Sequence, residues 1–290
     1  MDPGSAAHRS ASLRKSDVSD LRINNAGSRV YPTSGAASHP GNATLRRRTA
    51  LHLLAERARA EPEGVAFRAK QFGIYRPTTW RAYANAVARC AAGFAAFGLE
   101  RGERVAIMGD ACAEWMIADL GAQAAGAITF GVYPTAAASE LAYQMNDAGA
   151  AMFVAENQEY VDRILPLADR LPQLRNVIVI DATAMFDYDH ARLTTFADLL
   201  ARGGAEHEDR VAALEAMAAA LDPGDPAFIV YTSGTTGDPK GAVVAHSKHL
   251  AGCYTFVDHW PTLARRDHRT VIYLPLCHIL GRDVAVTLPL

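Results

Sequence analysis

The sequence predicts an α/β fold in which a parallel sheet has helices on both faces. Half of the 290 residues are apolar, which is enough to build a large core. Short apolar runs alternate with longer stretches whose apolar residues recur at helical spacing, and this alternation is typical of strands joined by crossover helices. The predicted strands lie at residues 104–108, 127–133, 151–155 and 176–180, and the predicted helices between them at residues 112–125, 139–146 and 160–170.

Further elements extend this pattern in both directions. Preceding it, the sequence predicts a helix over residues 44–60, a hairpin over residues 65–78 and a long Ala-rich helix that opens at Thr79 and closes before Gly98. Following it, helices are expected near residues 196–202 and 209–221, strands at residues 227–231, 242–245 and 270–274, and a helix from Ser247.

A turn rich in Asp, Pro and Gly at residues 222–226 is the predicted boundary between two sheet subdomains. Residues 46–222 are expected to form the first, and residues 223–290 to begin a second that is truncated. Residues 1–45 show no sustained helical or strand period, so we expect a disordered tail.

A transit peptide is the alternative interpretation of this tail, because such peptides are rich in Arg and Ser. Asp2, Asp17 and Asp20 argue against it, since transit peptides are poor in acidic residues.

Charge and cysteine content narrow the class of protein. The formal net charge is -2, which does not favour nucleic-acid binding, since that normally requires a basic surface. Cys90, Cys112, Cys253 and Cys277 lack the spacing of a disulfide framework or a zinc motif, which favours a reducing, cytoplasmic location. No apolar run reaches the roughly 18 residues of a transmembrane helix, so any membrane contact is expected to be peripheral.

The most informative segment is residues 231–241, Tyr-Thr-Ser-Gly-Thr-Thr-Gly-Asp-Pro-Lys-Gly, which follows an apolar strand. In open α/β sheets, ligands bind beyond the carboxyl ends of the strands. Glycines let the backbone take positive φ and approach a ligand closely, and the exposed N–H groups of such a turn bind anions. The residues expected to bind phosphate are Thr232, Ser233, Gly234, Thr235, Thr236, Gly237 and Lys240, with Gly241 as a third flexible glycine.

This segment has two alternative interpretations. A Walker A loop is disfavoured because Lys240 follows Pro239 and precedes Gly241, whereas that motif ends in Gly-Lys-Ser/Thr. A plain Ser/Thr/Gly turn between two strands is the remaining alternative. The density of hydroxyl groups beside one lysine is unusual for such a connector.

The segment resembles the signature loop of the adenylate-forming superfamily, which includes acyl-CoA synthetases, firefly-type luciferases and peptide-synthetase adenylation domains. The resemblance runs from Thr232 to Gly241 without a departure, and His246 lies where the family usually has a histidine. Segments outside the loop are similar to the long-chain fatty acyl-CoA synthetase branch, so the resemblance covers about residues 48–290. These segments are Thr79-Trp80, residues 104–110, Glu114-Trp115, residues 131–135 with 140–143, and residues 273–282.

The resemblance implies an ATP-dependent acid–thiol ligase. A fatty acid carboxylate attacks the α-phosphate of ATP to give an acyl-adenylate and pyrophosphate, and the thiolate of coenzyme A then displaces AMP to give a thioester. It further implies that residues 232–237 and Lys240 hold the β- and γ-phosphates, where preorganised donors and Mg²⁺ lower the barrier. The metal is expected to bind through the ATP phosphates, with Thr235 or Thr236 as candidate side chains.

His278 is the candidate catalytic residue, because it matches the position where family members place a histidine or aromatic near the acyl carboxylate and the adenylate. A histidine in the core or on the surface is the alternative. The neighbouring Cys277 does not form a nucleophile–base pair with it, since adjacent residues of an extended chain point to opposite faces.

Full-length relatives continue beyond Leu290, into the adenine and ribose site and a small C-terminal domain that carries a lysine. The chain is therefore expected to be an N-terminal portion that is inactive alone. Two alternatives stay open: a non-catalytic nucleotide- or phosphate-binding module that pairs with another chain, and a non-functional remnant. A medium-chain or aromatic acid is the alternative substrate. The sequence does not predict the oligomeric state.

Overall fold

A computed structural model describes residues 47–232, 238–264 and 268–290. The strands are β1 Val65–Gln71, β2 Ile74–Thr79, β3 Arg104–Met108, β4 Ile128–Val132, β5 Ala150–Ala155, β6 Asn176–Val179, β7 Leu193–Thr195, β8 Pro226–Thr232 and β9 Lys240–Ala245. The α-helices are α1 Ala50–Ala60, α2 Trp80–Ala96, α3 Ala113–Ala124, α4 Ala138–Ala148, α5 Gln158–Ile164, α6 Phe196–Gly203, α7 Val211–Ala219, α8 His246–His259 and α9 Ile279–Arg282. The structure also has two short 3₁₀ segments, Leu165–Arg170 and Pro261–Ala264, and a π-helical turn, Asp283–Thr287.

Seven of the strands form one sheet in the order β7-β6-β5-β3-β4-β8-β9. All neighbours from β7 to β8 are parallel, whereas β9 runs antiparallel to β8 at the edge. Strands β1 and β2 form a separate antiparallel hairpin. The carboxyl ends of the six parallel strands therefore meet at one edge of the sheet, which we call the carboxyl edge.

The sheet is covered on both faces, as the sequence predicts. Alternate residues of β3 enter different cores: Val105 and Ile107 pack on one side, while Ala106 and Met108 pack on the other. Helices α1, α2, α3, α6 and α7 cover the first face, and α4 and α5 cover the second. Burial on both faces explains why the parallel strands read as continuous apolar runs rather than as alternating patterns.

Most of the predicted elements are confirmed, and the strand over residues 104–108 has the predicted bounds. Helix α1 begins at Ala50 rather than near residue 44; Thr49 is its N-cap and has extended backbone, so the helix starts only after it. The predicted strand at residues 270–274 is wrong. A strand needs a partner for its backbone hydrogen bonds, and no strand of the described residues pairs with this segment, whose Val271 and Tyr273 are exposed.

The predicted subdomain boundary near residue 222 does not interrupt the sheet. Strand β8, which follows it, pairs with β4, which precedes it, through the partners Thr129–Phe228 and Phe130–Ile229. The division into two subdomains stays a prediction, and the predicted tail at residues 1–45 lies outside the described residues. All four cysteines are free thiols. In the part of the chain that the structure describes, no helix has the length and apolarity needed to cross a membrane.

Candidate active site

The predicted phosphate loop connects two paired strands at the carboxyl edge. Thr232 ends β8 and Lys240 begins β9, and the two residues are direct partners across the antiparallel pair. Both are exposed. The hairpin therefore presents a hydroxyl and an ammonium group side by side at the edge where ligands bind in open α/β sheets. The other predicted phosphate ligands, Ser233, Gly234, Thr235, Thr236 and Gly237, lie outside the described residues.

Gly241 has a different role from the one that the sequence suggested. It lies inside β9, opposite Tyr231, and its φ is not positive. A Cβ atom there would lie 2.9 Å from Ile229 Cγ2 and 3.2 Å from Tyr231 Cζ. Glycine at this position therefore makes room for the Tyr231 ring rather than providing a flexible turn.

Tyr231 fixes the base of the hairpin to the neighbouring helix. Its ring is buried edge-on against Phe130, and its hydroxyl donates a 2.7 Å hydrogen bond to Asp147 Oδ2 at the end of α4. Burial, and then the hydrogen bond to Asp147, raise the pKa of Tyr231, so the phenol stays neutral and donates a hydrogen bond to the carboxylate. Sequence reasoning placed Tyr231 in the loop segment but assigned it no role, because Asp147 is distant in sequence.

The segment that carries His278 packs against β4. A Cβ atom at Gly131 would lie 2.4 Å from Cys277 Cα, so the two backbones approach closely only because residue 131 is glycine. Strand β4 pairs with β8 through Phe130 and Ile229, and Gly131 is one residue further toward the carboxyl edge. His278 is exposed, and its Nδ1 accepts a 3.2 Å hydrogen bond from the backbone N–H of Leu280, which caps α9. The structure thus brings the predicted catalytic histidine close to the carboxyl edge.

Cys277 and His278 differ in burial, which agrees with the expectation that they are not a nucleophile–base pair. Cys277 is buried, whereas His278 is exposed. Burial raises the pKa of the Cys277 thiol to about 11, so the thiolate needed for nucleophilic attack is scarce at neutral pH.

His246, at the start of α8, is nearly fully buried. Its backbone N–H donates a 3.1 Å hydrogen bond to the carbonyl of Asp225, which ties α8 to the turn before β8. Burial lowers the pKa of His246 to about 4, so the imidazole is neutral at pH 7. His246 is therefore a neutral packing group just after the hairpin.

A buried ion pair lies behind the carboxyl edge, and the sequence analysis missed it. Arg282 Nη1 lies 3.3 Å from Asp119 Oδ1, and both side chains are almost completely buried. The same carboxylate oxygen accepts a 2.5 Å hydrogen bond from Thr129 Oγ1 on β4. The guanidinium also stacks 4.1 Å from the ring centre of Phe228 on β8. One arginine therefore connects α9 to α3, β4 and β8. The sequence signal that could have identified this ion pair is a charged residue, Arg282, inside an apolar run.

A surface cavity of about 440 Å³ lies at the opposite edge of the sheet. It is lined by Asn176 and Leu193, which begin β6 and β7, and by Arg202 on α6. None of the predicted site residues borders it, so it is separate from the candidate active site.

Comparisons with known proteins agree with this arrangement. Residues 54–290 match the family model described as AMP-binding enzyme. The chain is 30% identical over 234 residues to the long-chain-fatty-acid–CoA ligase FadD15 of Mycobacterium bovis, which covers 81% of the chain and 37% of that protein. It is 30% identical over 229 residues to the long-chain-fatty-acid–CoA ligase ACSBG2 of Xenopus laevis, covering 77% of the chain and 30% of that protein. The chain thus spans about a third of the length of these relatives.

Solved structures show the same fold. Acetoacetyl-CoA synthetase from Streptomyces lividans superimposes with a TM-score of 0.68 at 19% identity, covering 83% of this chain and 37% of that one. Apo MatB from Rhodopseudomonas palustris gives a TM-score of 0.63 at 24% identity, covering 83% and 43%. The family match over most of the chain leads to one conclusion: the chain belongs to the family of AMP-binding enzymes.

Proposed function

We propose that the chain provides the pyrophosphate-binding part of an AMP-forming acid–thiol ligase that activates a long-chain fatty acid. The observation that carries this proposal is the exposed Thr232–Lys240 pair at the carboxyl edge, joined by the loop Ser-Gly-Thr-Thr-Gly-Asp-Pro. The names of the relatives, which are long-chain-fatty-acid–CoA ligases, support the substrate class.

The donor set of the hairpin fits the polyphosphate of ATP. Lys240 supplies a positive charge and Thr232 a hydroxyl, and both are exposed on adjacent strands. The loop residues Ser233, Thr235 and Thr236 add hydroxyls, and Gly234 and Gly237 let the backbone N–H groups approach the phosphates. When Mg²⁺ is bound to the phosphates, it neutralises charge that develops on the leaving pyrophosphate. The ion would bind through the ATP phosphates, with Thr235 or Thr236 as candidate protein ligands.

Residues at the carboxyl edge have proposed roles in the two half-reactions. In the first, a carboxylate oxygen bonds to the α-phosphorus as the bond to pyrophosphate breaks; Lys240 and the loop hold the departing group. In the second, the sulfur of coenzyme A bonds to the acyl carbon, and AMP leaves. His278, exposed on a segment packed against β4, is the candidate for orienting the acyl carboxylate.

Ligand selectivity tests the phosphate assignment. The chain alone is expected to bind ATP and pyrophosphate and to bind AMP at least tenfold more weakly, because AMP lacks the β- and γ-phosphates; calorimetric titration gives the three affinities. Absence of binding to both ATP and pyrophosphate in a folded protein would contradict the proposal.

Exchange of radiolabelled pyrophosphate into ATP tests the reaction. The matched segments cover only 37% and 30% of the length of these relatives, which supports our expectation that the 290 residues show no exchange alone. Exchange that depends on palmitate would establish the long-chain substrate and overturn the expected inactivity. Exchange that depends on benzoate and not on palmitate would overturn the long-chain assignment.

A further inference from the structure

Three side chains with metal-binding atoms meet in the interior beneath α8. His249 and Cys253 lie one turn apart on α8, and Asp283 lies on the π-helical turn that follows α9. His249 Nε2 is 2.6 Å from Asp283 Oδ1 and 3.7 Å from Cys253 Sγ. The three ligand atoms all lie within 4.8 Å of one another, and all three residues are buried.

The cluster has the composition of a catalytic thiol–imidazole–carboxylate triad but not its geometry. In such a triad the carboxylate and the nucleophile bind opposite nitrogens of the imidazole ring, so that the ring passes a proton from one side to the other. Here the sulfur and the carboxylate oxygen both approach Nε2. Burial and the neighbouring Asp283 also raise the pKa of the Cys253 thiol, so the sulfur is not an activated nucleophile.

We infer that His249, Cys253 and Asp283 form a binding site for one thiophilic divalent cation of the Zn²⁺ type. Imidazole nitrogen, thiolate sulfur and carboxylate oxygen are the three ligand types that Zn²⁺ prefers, and the sulfur disfavours Mg²⁺ and Ca²⁺. Burial of three ligand atoms within 4.8 Å of one another distinguishes this cluster from a polar patch on the surface.

Charge balance makes a buried ion acceptable at this position. Binding of the ion displaces the proton of the Cys253 thiol to solvent, because cysteine ligates a metal as the thiolate. The thiolate and the carboxylate then cancel the divalent charge, so the filled site is neutral and avoids most of the cost of burying an isolated ion. The geometry needs only a small expansion: Zn–N and Zn–O bonds of about 2.0–2.1 Å place tetrahedral ligands about 3.3 Å apart, compared with 2.6 Å between Nε2 and Oδ1.

A water molecule can complete the coordination. A cavity of about 10 Å³ borders His249 and Thr287, close to the smallest volume that holds one water. Among the described residues, Thr287 Oγ1 and Asp119 Oδ2 beside this cavity are buried without a hydrogen-bond partner. Three protein ligands leave one tetrahedral position, and a water there would also bond to these oxygens.

The ion would join two segments that are both continuous in sequence with residues of the candidate active site. Helix α8 follows directly from β9 and the phosphate-loop hairpin, and residues 279–287 follow directly from His278. The proposed role is structural, because the site is buried and the ion would hold α8 against the His278 segment. The inference does not depend on the proposed ligase function.

Titration with Co²⁺ tests this inference, because a Co²⁺–thiolate bond gives a near-ultraviolet charge-transfer band. The full chain, reduced and without a histidine tag, is expected to bind one equivalent with this band. Cys253→Ser should abolish the band, and His249→Gln should weaken Co²⁺ binding at least tenfold. Cys112→Ser, at a half-buried cysteine outside the cluster, is the matched control and should keep the band.

Thermal unfolding provides a second readout that needs no variant. Zn²⁺ at a hundredfold excess over Kd is expected to raise Tm by roughly 5 °C, since a ligand that binds only the folded state stabilises it. A folded wild-type chain that shows neither the charge-transfer band nor a rise in Tm would overturn the inference. So would a band that persists in Cys253→Ser and disappears in Cys112→Ser.

Discussion

The candidate active site and the polar cluster behind it show opposite uses of charged side chains. At the carboxyl edge, Thr232, Lys240 and His278 are exposed. Behind it, the buried polar cluster (Asp119, His246, His249, Arg282 and Asp283) lies almost entirely away from solvent. The exposed groups remain available to a ligand, whereas the buried groups are paired or neutral and hold the backbone segments that carry them. We therefore expect substitutions at the edge to change binding and substitutions in the cluster to change stability.

The largest effect is expected from Arg282→Met. Removing one partner of a buried ion pair leaves the other charge uncompensated, which costs about 3–5 kcal/mol of unfolding free energy. Urea unfolding by linear extrapolation measures the loss. The double variant Arg282→Met with Asp119→Asn should recover most of it, because Asn removes the charge while still accepting the hydrogen bond from Thr129.

A matched control tests whether burial causes this effect. Arg59 forms an ion pair with Glu215 on the surface, so Arg59→Met should leave stability unchanged within error. If Arg282→Met were no more destabilising than Arg59→Met, the contrast between the exposed edge and the buried polar cluster would be wrong.

The next effect is a loss of stability in acid that His246 causes. Its folded pKa of about 4 lies below its unfolded value of 6.5, so the unfolded state binds more protons between these values. The stabilisation is present above about pH 6.5 and is lost as pH falls towards 4, amounting to about 3 kcal/mol for a shift of this size. Asp225 opposes this shift, while His249, Arg101 and His52 reinforce it.

Unfolding free energies measured from pH 7 to pH 4 check this assignment. The variant His246→Gln should lose that part of the pH dependence, because Gln does not titrate. His190→Gln, at an exposed position, should retain the wild-type slope. An unchanged slope in His246→Gln would assign the acid sensitivity to other groups.

Local sequence signals predicted the parts of the fold that depend on neighbouring residues. The bounds of β3 were predictable because its apolar run, residues 105–108, lies between Arg104, which begins the strand, and Gly109, which follows it. The hairpin at β1–β2 followed from the turn at Gly73. The strand at residues 270–274 failed because an apolar run becomes a strand only where a neighbouring strand pairs with it. Strand β7, only three residues long, gave no signal of its own.

The candidate site, like the fold, was predictable where it depends on neighbouring residues, but not where it depends on contacts between residues distant in sequence. The loop composition indicated phosphate binding at Thr232 and Lys240, and the structure places these residues as partners at the carboxyl edge. The bond from Tyr231 to Asp147, the pairing of Arg282 with Asp119 and the meeting of His249 with Asp283 join residues that are distant in sequence. Such contacts depend on the order of strands in the sheet, which periodicity does not reveal.

The most direct test of the central claim is the affinity of pyrophosphate for wild type, Lys240→Ala and Lys70→Ala, measured by calorimetry at one ionic strength. Lys70 is the matched control, because it is an exposed lysine on a strand of the separate β1–β2 hairpin. A hydrogen bond from a charged group contributes about 1.5–3 kcal/mol, so Lys240→Ala should weaken binding roughly 10- to 100-fold and Lys70→Ala should not. Equal affinities in all three proteins would contradict the assignment of this hairpin as the phosphate-binding site.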